Sequence, residues 1–323
     1  MKKWKQNSRN TPHTRVFDEV ELEKPLKGVF LSITATKPLF QRSKGQNGTM
    51  RGGKAMIFKS TYGEIYYEIS GKEEAPVIVL CHGVGMDHRT FEKQVEGLRG
   101  DYRVIVWDMP GHGYSSMSKP DMRFSLMAAE CLVELLDETG TDRAVLGGLS
   151  LGSFVIQYVL HKYPERVIAT IHIGGITLHP KYSSLLKPVF SMTGSLKIMP
   201  DRMFYRSFAK HRANAPETRK YMEDVASRTG KDLIMKITKD MGEDMLEGLP
   251  EPPDRPLLIT WGADDIYTRR LSEKWHKRTP GSRKAMISHA NHIANQDNHY
   301  EMNESLRSFL QELQSLCSSS LFS

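Results

Sequence analysis

A serine between two glycines is the residue of this chain whose surroundings point most clearly to chemistry. Ser150 lies in the segment Gly148-Leu-Ser-Leu-Gly152, which follows a short apolar run and precedes an apolar stretch with helical spacing. On such a tight turn between strand and helix a serine hydroxyl is exposed, and flanking side chains larger than hydrogen would clash. Glycine-rich turns also occur without catalysis, so a nucleophilic Ser150 requires partner residues.

A base and an acid that could activate Ser150 occur downstream, each after a predicted strand. A serine hydroxyl attacks poorly until a histidine accepts its proton, and an acid has to orient that histidine. Asp264 and Asp265 follow one apolar run, and the residue types alone leave both open as the acid. His289 and His292 follow the next run. His292 is favoured because His289 lies directly at the strand end, whereas His292 leaves room for a loop to reach Ser150.

The elements that would position these residues alternate between strands and helices. We predict strands over residues 55–60, 64–70, 76–81, 103–107, 144–146, 167–173, 257–261 and 284–288, and helices over 88–98, 124–136, 151–160, 272–278 and 302–313. This alternation, over residues 56–175 and 251–323, predicts an α/β fold with a mostly parallel sheet flanked by helices. Residues 176–250 have the pattern of several helices. They predict an inserted helical cap over the carboxyl ends of the strands, where such sheets bind ligands.

Four further segments resemble those of serine hydrolases with the α/β-hydrolase fold, and the resemblance extends over residues 56–314. The segment from Leu80 to Gly85 is similar to the His-Gly oxyanion loop of that family. The segment from Asp108 to Ser115 resembles its D-x-P-G-x-G-x-S turn. Gly262-Ala-Asp-Asp265 resembles the family's G-x-x-D segment, whose last residue is the triad acid, and His292 begins a segment similar to the catalytic histidine loop.

The resemblance implies a role for each of five positions. Ser150 would be the nucleophile, His292 the general base and then the general acid, and Asp265 the acid that holds the imidazole. The backbone N–H groups of Val84 and Leu151 would form the oxyanion hole. Preorganised donors of this kind lower the barrier by about 2.7–4 kcal/mol each.

The Gly148–Gly152 turn, the loop from Leu80 to Gly85 and the turn from Asp108 to Ser115 together faintly resemble those of enol-lactonases and small carboxylesterases. We therefore expect hydrolysis of a carboxylic ester or lactone through an acyl-serine intermediate, with no cofactor and no metal. Seven of the chain's 17 methionines lie within residues 176–250, and these adaptable side chains predict a pocket for a small, mainly apolar substrate. Ser153 and Gly85 stand where relatives commonly have glycine and proline, which leaves the subfamily open. The alternatives are a cofactor-free peroxidase or C–C bond hydrolase with the same triad, and a hydrolase-like ligand receptor that turns over slowly.

The net charge of +7 is concentrated near the amino terminus. Residues 1–55 carry twelve Lys and Arg against four acids, and the rest of the chain carries a net charge of −1, so the body of the protein does not support nucleic-acid binding. We expect residues 1–55 to be a basic extension, either solvated or in weak contact with an anionic membrane surface. The three unclustered cysteines, and the lack of an apolar run near ~18 residues, predict a cytoplasmic protein.

Overall fold

One eight-stranded sheet is the framework of the residues that the computed structural model describes, which are 53–118, 122–179 and 198–319. Its strands are β1 (Lys54–Ser60), β2 (Gly63–Ser70), β3 (Val77–Cys81), β4 (Arg103–Trp107), β5 (Ala144–Leu149), β6 (Val167–Ile173), β7 (Leu257–Gly262) and β8 (Arg283–Ile287). The helices are α1 (Glu92–Leu98), α2 (Phe124–Glu138), α3 (Leu151–Lys162), α4 (Asp201–Lys210), α5 (Pro216–Thr229), α6 (Lys231–Glu247), α7 (Arg269–Arg278), α8 (Ala294–Asp297) and α9 (His299–Ser319).

The order of the strands opens a crevice at the carboxyl ends of β3 and β5. The sheet runs β1-β2-β4-β3-β5-β6-β7-β8. Only the pairs β1–β2 and β2–β4 are antiparallel. The chain passes from β3 to β4 on one side and then returns to β5 on the other, and such a reversal leaves a cleft above the strand ends. The expected mostly parallel α/β sheet is confirmed, and the cleft lies where Ser150 follows β5.

The central strands read as continuous apolar runs because both faces of the sheet are covered. Along β3, Ile78 and Leu80 pack into one hydrophobic cluster, whereas Val79 and Cys81 pack into the cluster on the opposite face. The first cluster includes buried residues of α1 and α9, and the second includes those of α2 and α3. Burial of each aliphatic side chain contributes about 1.5–3 kcal/mol, so these two clusters hold the layers together.

Three helices of the described residues, α4, α5 and α6, lie between β6 and β7 in the chain. Phe204 and Phe208 of α4 and Ile234 of α6 are buried in the same cluster as β3, so this segment packs directly on the core. Residues 1–52 of the expected basic extension and 180–197 of the expected cap lie outside the described residues. The boundaries of the extension and the cap therefore stay predictions.

Several predicted elements differ in length from the observed ones. The helix expected from residue 88 starts with a 3₁₀ turn at His88–Phe91, where the Asp87 carboxylate accepts a hydrogen bond from the Arg89 N–H, and only then becomes α1. The strand expected over 144–146 continues to Leu149, because its two glycines are buried between neighbouring strands and stay in register with β6. The length of such a strand is underestimated when only the run of apolar residues is counted.

The two glycines around Ser150 are required by close packing between backbones. A Cβ on Gly152 would lie 2.1 Å from the carbonyl oxygen of Cys81, and a Cβ on Gly148 would lie 2.3 Å from the carbonyl carbon of Gly152. These separations are far below van der Waals contact, and the atoms involved are backbone atoms that cannot rotate away. The α3 helix can therefore approach β3 and β5 only with glycine at both positions.

Replacing Gly152 by alanine should destabilise the fold. Alanine is the better helix former by about 1 kcal/mol, but the overlap with the Cys81 carbonyl forces α3 away from β3, and overpacking of this kind costs about 1–3 kcal/mol or more. Gly100→Ala is the matched control, since nothing lies within 4 Å of its Cβ position. Urea unfolding should show a clear loss of stability for Gly152→Ala and a change within about 0.5 kcal/mol for Gly100→Ala. Equal changes in the two variants would contradict the packing argument.

Candidate active site

Ser150 occupies a strained turn between β5 and α3. Its φ of 51° and ψ of −107° lie in a region that residues with a side chain rarely adopt. The Ser150 N–H donates to the carbonyl of Ile173 at the end of β6 at 2.9 Å, and the Ser150 carbonyl accepts from the N–H of Ser153 at 2.9 Å. These two hydrogen bonds hold the turn in place and leave the hydroxyl above the sheet edge.

His292 connects Ser150 to Asp265. Its Nε2 lies 2.9 Å from Ser150 Oγ, and its Nδ1 lies 2.9 Å from Asp265 Oδ2. Because a carboxylate only accepts, the proton of the imidazole lies on Nδ1, and Nε2 is free to accept the Ser150 hydroxyl proton. The three side chains come from the ends of β5, β7 and β8, which meet at one edge of the sheet. The arrangement can move a proton from Ser150 to His292 while Asp265 stabilises the imidazolium.

Asp265 is held as a buried carboxylate. Its side chain accepts hydrogen bonds from the N–H groups of Tyr267 at 2.9 Å and Thr268 at 3.0 Å, and from the Thr268 hydroxyl. Burial raises the pKa of Asp265, but the charge of His292 and the hydrogen bonds from His292 and Thr268 outweigh it and lower this pKa to about 2. Asp265 is therefore negatively charged across the physiological pH range.

The two alternative candidates, Asp264 and His289, make no hydrogen bond to Ser150 or His292. Asp264 is exposed, and its carboxylate accepts a hydrogen bond from the side-chain amide of Asn214 at 2.8 Å. His289 is exposed in the turn after β8 with a φ of 53°. The structure thus brings Asp265 and His292 to Ser150, but not Asp264 or His289. The deciding factor is the direction of successive side chains in a turn, which the residue types alone leave open.

The loop after β3 lies beside the serine. A Cβ on Gly83 would lie 3.6 Å from Ser150 Cβ, so the backbone passes directly next to the nucleophile candidate. Leu151 is the first residue of α3, and the N–H groups of a helix start lack partners within the helix. Among the described residues, neither the Leu151 N–H nor the Val84 N–H donates a hydrogen bond. Both donors are therefore available to a negatively charged oxygen near Ser150.

Two buried histidines tie this loop to the turn that follows β4. The N–H of Met109 donates to His82 Nε2 at 2.9 Å, and the N–H of Gly85 donates to His112 Nε2 at 3.2 Å. In each ring Nδ1 lies near a backbone carbonyl, so each imidazole is neutral with its proton on Nδ1. The two rings pack 4.9 Å apart. A pair of neutral imidazoles thus positions the loop that carries Val84.

The cap helices cover the same loop with side chains that sequence reasoning did not single out. Ile234 and Phe208 come within 3.0 Å and 3.5 Å of a Cβ built on Gly85. Tyr221 donates its hydroxyl to the Asp87 carboxylate at 3.0 Å. Atoms of Ile234 and Phe208 are the nearest to this Cβ position, and the expected methionine lining of the pocket stays a prediction. The amphipathic pattern of these helices identifies their buried faces, but no sequence signal indicates which buried residue contacts the loop.

The comparison with protein families agrees with this architecture. A family model described as the alpha/beta hydrolase fold matches residues 76–192, which include the loop after β3 and Ser150. The matched stretch runs through the same strands and helices that the sheet topology orders around the cleft.

The chain has the α/β-hydrolase fold. It is 39% identical over 113 residues to the magnesium-chelatase 30 kDa subunit of Rhodobacter capsulatus, with 33% of this chain and 39% of that protein covered. It is 34% identical over 85 residues to 3-oxoadipate enol-lactonase 1 of Acinetobacter baylyi, with 26% of this chain and 31% of that protein covered. The chain thus aligns with about a third of the length of these curated relatives.

Solved structures of this α/β-hydrolase fold match over a longer range. The enol-lactonase from Burkholderia xenovorans LB400 superposes with a TM-score of 0.65 at 20% sequence identity. The match covers 79% of this chain and 100% of that chain. At this identity the likeness supports the fold alone.

The buried thiol of Cys81 serves packing. Cys81 is fully buried, its Sγ accepts a hydrogen bond from Trp107 Nε1 at 3.4 Å, and burial raises its pKa to about 12. No cluster of three metal-ligating side chains occurs within the part of the chain that the structure describes. In that part, no helix is both long enough and apolar enough to cross a membrane.

The buried histidines predict a loss of stability in acid. Burial lowers the pKa of His82 to about 4 and those of His112 and His172 to about 3, whereas an unfolded histidine titrates near 6.5. Unfolding therefore takes up protons below pH 6.5, so stability is present above that pH and lost as the pH falls toward 4. Each histidine should contribute a slope of about 1.4 kcal/mol per pH unit. Burial opposes the charge of His88, but the carboxylate of Asp108 outweighs it and raises the pKa, so His88 does not belong to this acid-sensitive set.

Urea unfolding between pH 6.5 and 4.5 measures this slope. His172→Asn should reduce the slope by up to about 1.4 kcal/mol per pH unit, the contribution of one histidine, while its amide can still bond the Ser153 hydroxyl, which lies 2.6 Å from His172 Nδ1. A wild-type stability that stays flat over this range, or a slope unaffected by the substitution, would show that these histidines do not control acid unfolding.

Proposed function

We propose that this α/β-hydrolase is a serine hydrolase that cleaves a carboxylic ester or lactone of a small, mainly apolar substrate. The observation that carries the proposal is His292, which lies within hydrogen-bond distance of both Ser150 and Asp265. The similarity to 3-oxoadipate enol-lactonase 1 of Acinetobacter baylyi supports the same reaction class. The proposal includes a covalent acyl-serine intermediate, because a serine with a positioned histidine base is suited to nucleophilic attack.

The first half-reaction forms the acyl-enzyme. Ser150 Oγ attacks the carbonyl carbon of the ester while His292 Nε2 accepts the hydroxyl proton. The carbonyl oxygen gains a negative charge, which the N–H groups of Val84 and Leu151 stabilise. As this tetrahedral intermediate collapses, the bond to the alcohol oxygen breaks and His292 returns the proton to it. For a lactone the alcohol stays attached to the acyl group.

The second half-reaction releases the acid. Water attacks the acyl carbon while His292 accepts one of its protons, and the tetrahedral intermediate again uses the two backbone donors. The bond to Ser150 Oγ then breaks and the proton returns to the serine. Throughout, Asp265 holds the Nδ1 proton and offsets the positive charge on the ring, which is why its buried, hydrogen-bonded carboxylate matters to both steps.

The walls near the nucleophile suit a small apolar group. Phe208 and Ile234 pack against Gly85, so the loop that carries Val84 is covered by aromatic and aliphatic carbon. These side chains are buried in the cluster that joins the cap helices to the core. Apolar pockets of this kind discriminate between chains that differ by one methylene by about 10–200-fold at most.

Substitution of Ser150 tests the proposed chemistry. Ser150→Ala should lower kcat for a 4-nitrophenyl ester by at least about 10⁴-fold, since it removes the nucleophile. His292→Ala should be comparably damaging, whereas His289→Ala should not. Steady-state turnover beyond the initial burst separates a hydrolase from a receptor that is acylated once. A Ser150→Ala variant that keeps a tenth of the wild-type kcat, or a wild type that stops after one turnover, would overturn the proposal.

The adjacent aspartates provide a matched control in the same assay. Asp265→Asn removes the charge that faces His292 Nδ1, and such a change in a triad lowers kcat by about 10⁴-fold. Asp264→Asn removes the same charge one residue away, where the carboxylate faces Asn214 and solvent, and should lower kcat less than tenfold.

A further inference from the structure

The loop after α4, residues 212–215, is hydrogen-bonded to the loop that carries His292. The N–H of Ile293 donates to the carbonyl of Arg212 at 3.0 Å. The Asp297 carboxylate accepts from the N–H groups of Asn214 at 2.9 Å and Ala215 at 3.0 Å. The same carboxylate accepts from the Asn291 N–H at 2.9 Å. Residues 212–215 therefore have a defined position relative to the histidine.

The Arg212 guanidinium lies between two rings that each reach the catalytic machinery. Its Cζ is 4.1 Å from the ring centroid of Phe208 and 5.6 Å from that of Tyr267. Phe208 lies against Gly85 in the loop after β3, and the Tyr267 ring packs edge-on against His292 with centroids 6.4 Å apart. A charged group thus lies one aromatic ring away from the imidazole of His292.

The charge of Arg212 lacks an acidic partner. Its Nη1 donates to the carbonyl of Phe208 at 3.1 Å, but no carboxylate among the described residues lies within ion-pair distance. By contrast, Arg89, Arg123 and Arg166 each pair with an aspartate. The guanidinium is only partly exposed, and burial lowers its pKa, an effect that Asp265 and Tyr267 only partly offset. A partly buried cation with unused donors is stabilised by any anion that enters the cleft.

We infer that Arg212 binds a carboxylate of the substrate, so that the preferred substrates carry one free carboxylate in addition to the ester or lactone. This inference rests on the proposed ester hydrolase function. A guanidinium presents its N–H groups in a planar fork that matches a carboxylate, and among the described residues only Nη1 of the Arg212 guanidinium donates a hydrogen bond, which leaves its other donors available. The otherwise apolar wall would bind the chain between the carboxylate and the reacting carbonyl. The expected substrate is therefore mainly apolar with one charged end.

Matched esters measure the preference. The 4-nitrophenyl monoester of glutaric acid and its terminal carboxamide have the same length and differ in one charge. The acid should be hydrolysed with a kcat/KM at least about tenfold higher, which is typical of a hydrogen bond to a charged group. A second pair, 4-carboxyphenyl butyrate and 4-carbamoylphenyl butyrate, tests a carboxylate on the leaving group. A preference for the acid in either pair supports the inference and shows whether the carboxylate belongs to the acyl group or to the leaving group. Equal rates for acid and amide in both pairs overturn it.

Substitution of Arg212 distinguishes a direct contact with the substrate carboxylate from a long-range electrostatic effect of the protein's charge. Arg212→Gln should reduce kcat/KM for the preferred acid to that of the amide, with less than about a threefold change for the amide itself. Arg206→Gln removes the same charge from an exposed position of α4 and should leave the preference unchanged. Equal effects of the two substitutions, or a parallel loss of acid and amide hydrolysis with Arg212→Gln, would show that the residue is structural and overturn the inference.

Binding of glutarate itself gives a readout that does not need turnover. Glutarate should raise the Tm of the wild type and of Arg206→Gln, but not that of Arg212→Gln. If no ester is hydrolysed while this difference persists, the proposed hydrolysis fails and the carboxylate site stands. If esters are hydrolysed but glutarate raises the Tm of none, or of all three proteins alike, the carboxylate site fails and the hydrolase stands.

Discussion

The contact between His292 Nε2 and Ser150 Oγ, at 2.9 Å, joins residues that are 142 positions apart in the chain, and much of the fold serves to hold it. It depends on the close approach of α3 to β3 and β5, which glycine alone permits at positions 148 and 152. It depends equally on the parallel register of β6, β7 and β8, which brings the ends of three strands to one edge. A shift of any of these elements by an ångström would lengthen the hydrogen bond beyond useful range.

The segment after β6 contributes to the cleft in two different ways. Aromatic and aliphatic side chains of α4 and α6 close over the loop that carries Val84, while the loop after α4 is hydrogen-bonded to the loop that carries His292. This segment therefore contacts both the loop that carries Val84 and the loop that carries His292. Arg212, the proposed carboxylate site, lies at this junction, so the proposed substrate is mainly apolar with one charged end.

The central sheet and the serine turn could be predicted because their signals are local. Continuous apolar runs indicate strands buried on both faces, and the glycines around Ser150 indicate a tight turn. The choice between Asp264 and Asp265 depends on which way each side chain points in the turn, and that direction appears only in three dimensions. The importance of Arg212 could not be predicted, since it depends on contacts with Tyr267 and with the backbone at residue 293. An arginine in an amphipathic helical region normally reads as a solvated surface residue.

The central claim is that Ser150 is the residue that becomes acylated, and labelling with a fluorophosphonate tests it most directly. Intact-mass analysis of the treated protein should show one adduct per chain, and peptide mapping should assign it to Ser150. The His292→Ala variant, which keeps the serine but lacks the base, should label far more slowly under the same conditions. A folded wild type that stays unlabelled, or an adduct on a different residue, would contradict the account.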